Sequence, residues 1–312
     1  MKVSFENTTI NLPDILILGA AKSGTTSLAF FLKQHPDVFM PRKEPGFFAY
    51  HDRPAEEIPS GIRDRQITDL GTYTEMYKPV GENQLICDAS VAQFTNAPHT
   101  IRNLKHLYGD KLSDVKAFII LRNPADRAFS HYLMFVKNGL ETLSFEDAIK
   151  TENVESRVDQ QLGFDYLGGS MYAERIKAFQ EVLPQLKVYL MDDLKDRDRL
   201  LADFLKNCGL RQDVDINTSI RLNPSGLPKN KTMIRALHGR TGLKKIMKRY
   251  LPDKMQFKLT AMKSNLMEKS VERIHMDKDL WESLIHDRFA SDINELSLLL
   301  NRDLSHWTKK KQ

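Results

Sequence analysis

The sequence predicts an α/β fold, a central and mostly parallel sheet with helices on both faces. Two observations predict it: four short apolar runs read as buried strands, and segments with helical spacing separate them. A third marks a ligand position, because the stretch GAAKSGTTS, residues 19–27, follows the first run directly.

In chain order, the first run is ILIL, residues 15–18, and the glycine-containing stretch leads into helical spacing over residues 26–33. The next runs are LIC, residues 85–87, and AFIIL, residues 117–121. A helical segment over residues 171–183 then precedes KVYLM, residues 187–191. Apolar runs this short and this continuous suit strands covered on both faces. Ligands of such sheets bind beyond the carboxyl ends of the strands, where residues 19–27 fall. From residue 229 to 258 the chain carries ten basic residues against one acid, Asp253. That segment reads as a solvated face or mobile flap, or as a basic helix that meets an anionic partner or membrane surface. Trp281, Leu284, Phe289, Ile293, Leu296 and Leu300 then recur every three to five residues, which predicts an amphipathic helix on the core. KKKQ, residues 309–312, reads as frayed tail. With neither repeats nor a low-complexity linker, one domain is expected, its core at about 12–222 and a basic lid and helical C-terminal region at about 223–312.

Composition narrows the function classes. The 312 residues are 41% hydrophobic, enough for a buried core, and Lys plus Arg number 46 against 41 acids. That surplus favours polyanionic ligands such as nucleotides, acidic glycans or nucleic acid. Cys87 and Cys208 stand far apart, so neither a disulfide framework nor a cysteine metal site is expected. Pro13 and Asp14 interrupt the one stretch that imitates a signal peptide, and no run approaches the roughly 20 apolar residues of a membrane span. A cytoplasmic protein with no transmembrane segment is the expectation.

The common nucleoside-triphosphate loop reads G-x-x-x-x-G-K-[ST]. Here the order is Gly19-Ala20-Ala21-Lys22-Ser23-Gly24-Thr25-Thr26, with the lysine ahead of the second glycine. What survives is a strand, a turn whose N–H groups face inward, and a helix N-terminus that favours an anion. Magnesium-dependent nucleotide enzymes end a second buried strand with a metal-binding aspartate. The matching run, AFIILRNPADRAFSHY, ends instead in Arg122 and is followed eight residues later by Ser130, a pair suited to a second phosphate. Arg127 reads as a helix salt-bridge partner. The nine histidines form no helix-spaced pair, so no metal is expected.

KSGTT, residues 22–26, and LRNPADRAFSHY, residues 121–132, together resemble the 5′-phosphosulfate loop and 3′-phosphate motif of the sulfotransferases that use 3′-phosphoadenosine-5′-phosphosulfate (PAPS). LKQHPDV, KEPGFF, DYLGGSMYAERIKAFQEVLP and NRDLSHW are similar to the bacterial and heparan-sulfate-type branches, so the resemblance spans most of the chain. It implies a P-loop-type sheet, PAPS as donor, 3′-phosphoadenosine-5′-phosphate (PAP) as product and no required metal. It also implies sulfuryl transfer to a hydroxyl or amine of a carbohydrate or small-molecule acceptor, with nucleic acid not a partner. By the resemblance Lys22 stabilises the departing phosphate, while Ser23, Gly24, Thr25, Thr26 and Ser27 cradle the 5′-phosphate. Arg122 and Ser130 would take the 3′-phosphate, and Glu44 in KEPGFF matches the general base of heparan-type members.

The chain also departs from the family. The histidine of the small-phenol branch, found in a Lys-Thr-His context, is absent, which leaves His51 and His99 as substitutes. Heparan-type members carry a Glu-Lys-Ser/Thr-Pro stretch where this chain has CDASVAQF, so no lysine follows Asp88. Asp88, Ser90 and Phe48 are left as acceptor-side candidates, and Lys229, in NPSGLPKN, as a cation that closes over the nucleotide. Two other classes remain open: a magnesium-dependent nucleotide kinase, which would need the missing aspartate and loop order, and a polyanion-binding module working through residues 229–258.

Overall fold

The computed structural model describes residues 1–159, 162–219, 226–228, 262 and 271–310. Five parallel strands form the central sheet in the order β4-β5-β3-β6-β7. They are β3 (Ile15–Gly19), β4 (Val38–Phe39), β5 (Leu85–Ala89), β6 (Lys116–Leu121) and β7 (Leu186–Leu190). All four predicted runs are strands, although the last ends at Leu190, and Met191 opens a 3-10 turn. Three strands ahead of and beside them were not anticipated: β1 (Lys2–Phe5) and β2 (Thr8–Asn11), which form a hairpin, and the two-residue edge strand β4. The hairpin adds Val3 to the core.

Side-chain alternation along the strands builds two cores. Leu16, Leu18, Ile86, Ala117, Ile119 and Leu121 face one side of the sheet. Ile15, Ile17, Cys87, Phe118 and Ile120 face the other. On the second face lie α1 (Thr25–Leu32), through Leu28 and Phe31, and a helix over Arg197–Cys208, through Phe204. The first face takes α2 (Ala97–Tyr108), α3 (Pro124–Lys137) and α4 (Ala173–Gln180). The Arg197–Cys208 helix is α5. Burial on both faces explains why the strands read as continuous apolar runs.

The amphipathic C-terminal segment is a helix in three pieces: α6 (Lys278–Ser283), a π-helical turn (Leu284–Phe289) and α7 (Ala290–Leu300). The single five-residue step in its apolar spacing, Leu284 to Phe289, coincides with that turn, whose bonds run i to i+5. Asp292 on α7 is buried, and its carboxylate accepts from Tyr172 N at 2.9 Å and Ala173 N at 2.9 Å. A carboxylate from the far end of the chain thereby caps α4 and offsets its dipole.

In this strand order the chain runs from β3 outward to β4, returns to β5, and then crosses to β6 on the opposite side of β3. The carboxyl ends of β3 and β6 flank the point where the direction of winding reverses, the place where open α/β sheets bind ligands.

Candidate active site

A cleft of about 1310 Å³ opens at that switch point, with walls formed by the loops after β3, β4, β5, β6 and β7 and by residues 274–276, 281, 306, 307, 309 and 310. The loop after β3 is held close to the sheet. Ala20 N donates to Ile120 O at 2.9 Å, and a Cβ on Gly19 would come within 2.5 Å of Phe94 Cβ. Gly24, at φ 105°, caps α1 without a side-chain acceptor, so the helix offers its first-turn N–H groups to an anion. Gly24, Thr25, Thr26 and Ser27 all line the cleft. Ser23 does not: its side chain is fully buried and its N–H donates to Ala20 O at 3.3 Å.

Lys22 lines the cleft in the left-handed region, at φ 68°. Burial, reinforced by Arg122, Lys137, Arg127 and Lys43, pushes its pKa down to about 8. Every charged neighbour that moves it is a cation, an arrangement that stores positive potential until an anion enters. Across the cleft, β6 ends at Leu121 and delivers Arg122, whose carbonyl accepts from Tyr172 Oη at 2.9 Å. Asn123 then caps α3, accepting from Asp126 N at 3.2 Å, and Ser130 lies two turns along that helix, facing the cleft with Arg122. Burial also lowers the Arg122 pKa.

Glu44 enters from the loop after β4, again with a positive φ, 59°. Its N–H donates to Ala89 O at 2.9 Å, while Oε2 accepts from Val91 N at 2.9 Å and Oε1 from Lys43 Nζ at 2.7 Å. The carboxylate is thus tied at both oxygens in the same cleft as Lys22. Lys22 and Glu44 are two of the six non-glycine residues at positive φ among those described, a strained state that the surrounding bonds maintain.

The acceptor-side candidates are elsewhere. Asp88, Ser90 and Phe48 are fully buried and do not line the cleft. Tyr73 Oη donates to Asp88 Oδ2 at 2.5 Å and Ser90 Oγ to Asp88 Oδ1 at 2.7 Å, and Ser90 Oγ accepts from Gly46 N at 3.0 Å. These groups anchor the loop that carries Glu44. Burial pushes the Asp88 pKa up to about 6, and the charge of Glu44 adds to the rise. Phe48 packs edge-on against Phe47 and Tyr73. His51 is buried, its Nδ1 2.9 Å from Thr68 O, and neither it nor His99 reaches the cleft. Lys229 lies outside the described residues, as does the basic segment 229–258, whereas Gly226 beside it lines the cleft.

Arg127 is not a surface salt-bridge partner. It is 2% exposed, with Nε 2.7 Å from Ser170 Oγ and Nη2 3.0 Å from Tyr166 O, both neutral acceptors. Gly169 leaves room for it, since a Cβ there would come within 3.1 Å of Nη2. Burial lowers its pKa to about 10 and, together with Arg127, keeps His131 well below the usual histidine value.

Sequence reasoning missed that the C-terminal segment 302–310 is pinned beside the cleft and lines it from residue 306 onward. Arg302 makes a two-bonded pair with Asp193, each bond 2.9 Å, and His306 Nε2 and Trp307 Nε1 approach Asp192 Oδ2 at 3.3 and 3.4 Å. Lys309 and Lys310 are cleft residues rather than frayed tail, and Lys310 Nζ donates to Met276 O at 2.9 Å. Trp281 also lines the cleft, its indole N–H donating to Asp126 Oδ1 at 3.0 Å. The signal was the acidic pair Asp192-Asp193 just past a strand end, followed far along the chain by an Arg and a His spaced to meet it. Among the described residues no group of three His, Cys, Asp or Glu side chains could hold a metal, and no helix is long and apolar enough to cross a membrane.

The sulfotransferase family model matches residues 13–168. A bifunctional heparan sulfate N-deacetylase/N-sulfotransferase 1 from Caenorhabditis briggsae is 27% identical over 229 residues, 69% of this chain and 24% of that protein. The human heparan sulfate glucosamine 3-O-sulfotransferase 3B1 is 24% identical over 204 residues, 65% of this chain and 45% of the relative. The chain therefore spans less than half the length of these curated relatives. The crystal structure of a sulfotransferase from Alicyclobacillus acidocaldarius superimposes with a TM-score of 0.70 at 27% identity, covering 96% of this chain and 100% of that one. Half of the sequence, including the loops after β3, β4 and β6, falls inside the family match, and the chain belongs to the sulfotransferase family, whose reaction is sulfuryl transfer.

Proposed function

We propose that this protein moves a sulfuryl group from PAPS to a hydroxyl or amine of a carbohydrate or small-molecule acceptor, with Glu44 as the base. The observation that carries the proposal is the shared cleft: an anchored carboxylate from one loop, and Lys22 at the uncapped start of α1 from another. The donor supplies an activated sulfuryl group and two separate anionic ends. Lys22 and residues 24–27 suit the 5′ end, and Arg122 with Ser130 suits the 3′-phosphate. Glu44 would take the proton of the attacking hydroxyl as the new S–O bond forms. The bridging S–O bond breaks with its electron pair on the phosphate oxygen, where Lys22 offsets the charge. The core at about 12–222 and the region at about 223–312 act as one domain in this reading. The heparan sulfate named in both curated relatives favours a carbohydrate among the acceptors.

Calorimetric titration with PAP, ADP and ATP, with and without magnesium, tests the donor. Magnesium-independent binding of PAP alone is expected, whereas preference for ATP with magnesium would replace this reading with a nucleotide kinase. Glu44→Gln should keep PAP affinity within about twofold and abolish transfer, as expected for a group that acts only in the transition state. Loss of PAP affinity in that variant would remove Glu44 from the role of base.

A further inference from the structure

We propose that Lys43 couples the base to the donor, with its ammonium holding the Glu44 carboxylate in place while giving its remaining hydrogen to the transferring sulfuryl group. This rests on the reading of the cleft as a PAPS site. Lys43 Nζ lies 2.7 Å from Glu44 Oε1 and 3.2 Å from Thr26 Oγ1. An ammonium carries three hydrogens, and these two contacts use two of them. Among the described residues the third has no acceptor, and Lys43 lines the cleft beside Lys22.

The placement is informative because Thr26 and Glu44 belong to different parts of the site. Thr26 is in the first turn of α1, which has no side-chain cap and lines the cleft, and Glu44 belongs to the loop after β4. One side chain therefore spans the phosphate-holding helix and the base. Val91 N fixes the second carboxylate oxygen at 2.9 Å, so Lys43 and Val91 together set the carboxylate plane. Each oxygen retains a lone pair for the acceptor's proton.

Lys43 is 30% exposed and Glu44 40%, so as a surface ion pair the contact would add little stability. Its value is positional. A nucleophile that approaches sulfur meets three negatively polarised oxygens, and a cation touching one of them lowers that barrier as charge moves onto the leaving phosphate. The strand β5 offers no such cation, since Ala89 follows Asp88. Lys43 supplies it from the neighbouring loop.

The test is a double-mutant cycle on release of sulfate from radiolabelled PAPS, with water as acceptor, alongside PAP titration and thermal unfolding. Lys43→Met should slow sulfate release about a hundredfold. PAP, which lacks the sulfuryl group, should bind Lys43→Met within about threefold of the unaltered protein, because binding common to ground and transition states is retained. Lys43→Arg should recover most of the rate. The Lys43→Met/Glu44→Gln variant should be slower than Glu44→Gln but lose less than the product of the two single losses, because part of the effect of Lys43 is exerted through Glu44 and part on the sulfuryl group directly. Additive losses, or a Lys43→Met defect that follows PAP affinity and unfolding temperature, would overturn the coupling. An unaltered protein that does not bind PAP would instead sink the PAPS reading itself.

Discussion

Lys22 and Asp88 stand at the carboxyl ends of adjacent strands, and burial drives both toward neutrality, the lysine down to about 8 and the aspartate up to about 6. Their surroundings differ in kind. Asp88 accepts from Tyr73 and Ser90 and is sealed from solvent, so its polarity is spent on the fold. Lys22 lines an open cleft among cations, with no hydrogen-bond partner among the described residues. Two similarly shifted groups thus separate into a structural one, answered by its own chain, and a ligand-directed one. The shift alone does not distinguish them; the partners do.

The contrast can be broken most decisively at Lys22. Lys22→Met should lower the rate of sulfate release from PAPS by about a thousandfold, the scale for removing a charge that stabilises a leaving group. A rate near that of the unaltered protein would erase the distinction from Asp88. Asp88→Asn should leave PAP affinity unchanged and cost about 1–3 kcal/mol in urea unfolding, because buried donors lose their charged acceptor. The sign of its pH dependence follows from the raised pKa. Between the reference value of 3.8 and about 6 the folded state binds the extra proton, so Asp88 makes the protein less stable as pH rises through that window, and Asp88→Asn should flatten the slope. The smallest effect sharpens the lysine side. PAP affinity should weaken by up to about tenfold from pH 7 to 9 as Lys22 loses its proton, and Lys22→Met should lose that dependence. An affinity that holds steady across this range would place the anion away from Lys22.

How much the sequence disclosed depends on how local each feature is. The strands at residues 15–19 and 116–121 were legible because burial on both faces leaves unbroken apolar runs, and the loops after them because their chemistry is contiguous. Strand β4 has two residues, too few for any period. The β1–β2 hairpin was passed over because its turn is Glu6-Asn7 rather than Asn-Gly or Asp-Gly, although both residues take the positive φ, 45° and 63°, of a two-residue hairpin turn. Arg127 misled because its partners are a hydroxyl and a carbonyl some forty residues away, and no sequence spacing encodes a neutral acceptor. The 302–310 segment was hidden by sequence distance instead, with Arg302 meeting the Asp193 carboxylate across 109 positions.

The π-helical turn at Leu284–Phe289 gives the C-terminal helix a tolerance to changes of length. An α-helix that gains a residue swings everything beyond it by about 100° around the axis. A π turn takes up that residue in one widened loop of backbone, so Ile293 and Leu296 stay on the core and Asp292 stays on the amides of Tyr172 and Ala173. A relative one residue shorter at this point would close the turn to α-helical spacing and keep the same face inward. Loss of one residue there would thus leave Tyr172, whose hydroxyl holds the Arg122 carbonyl, undisturbed.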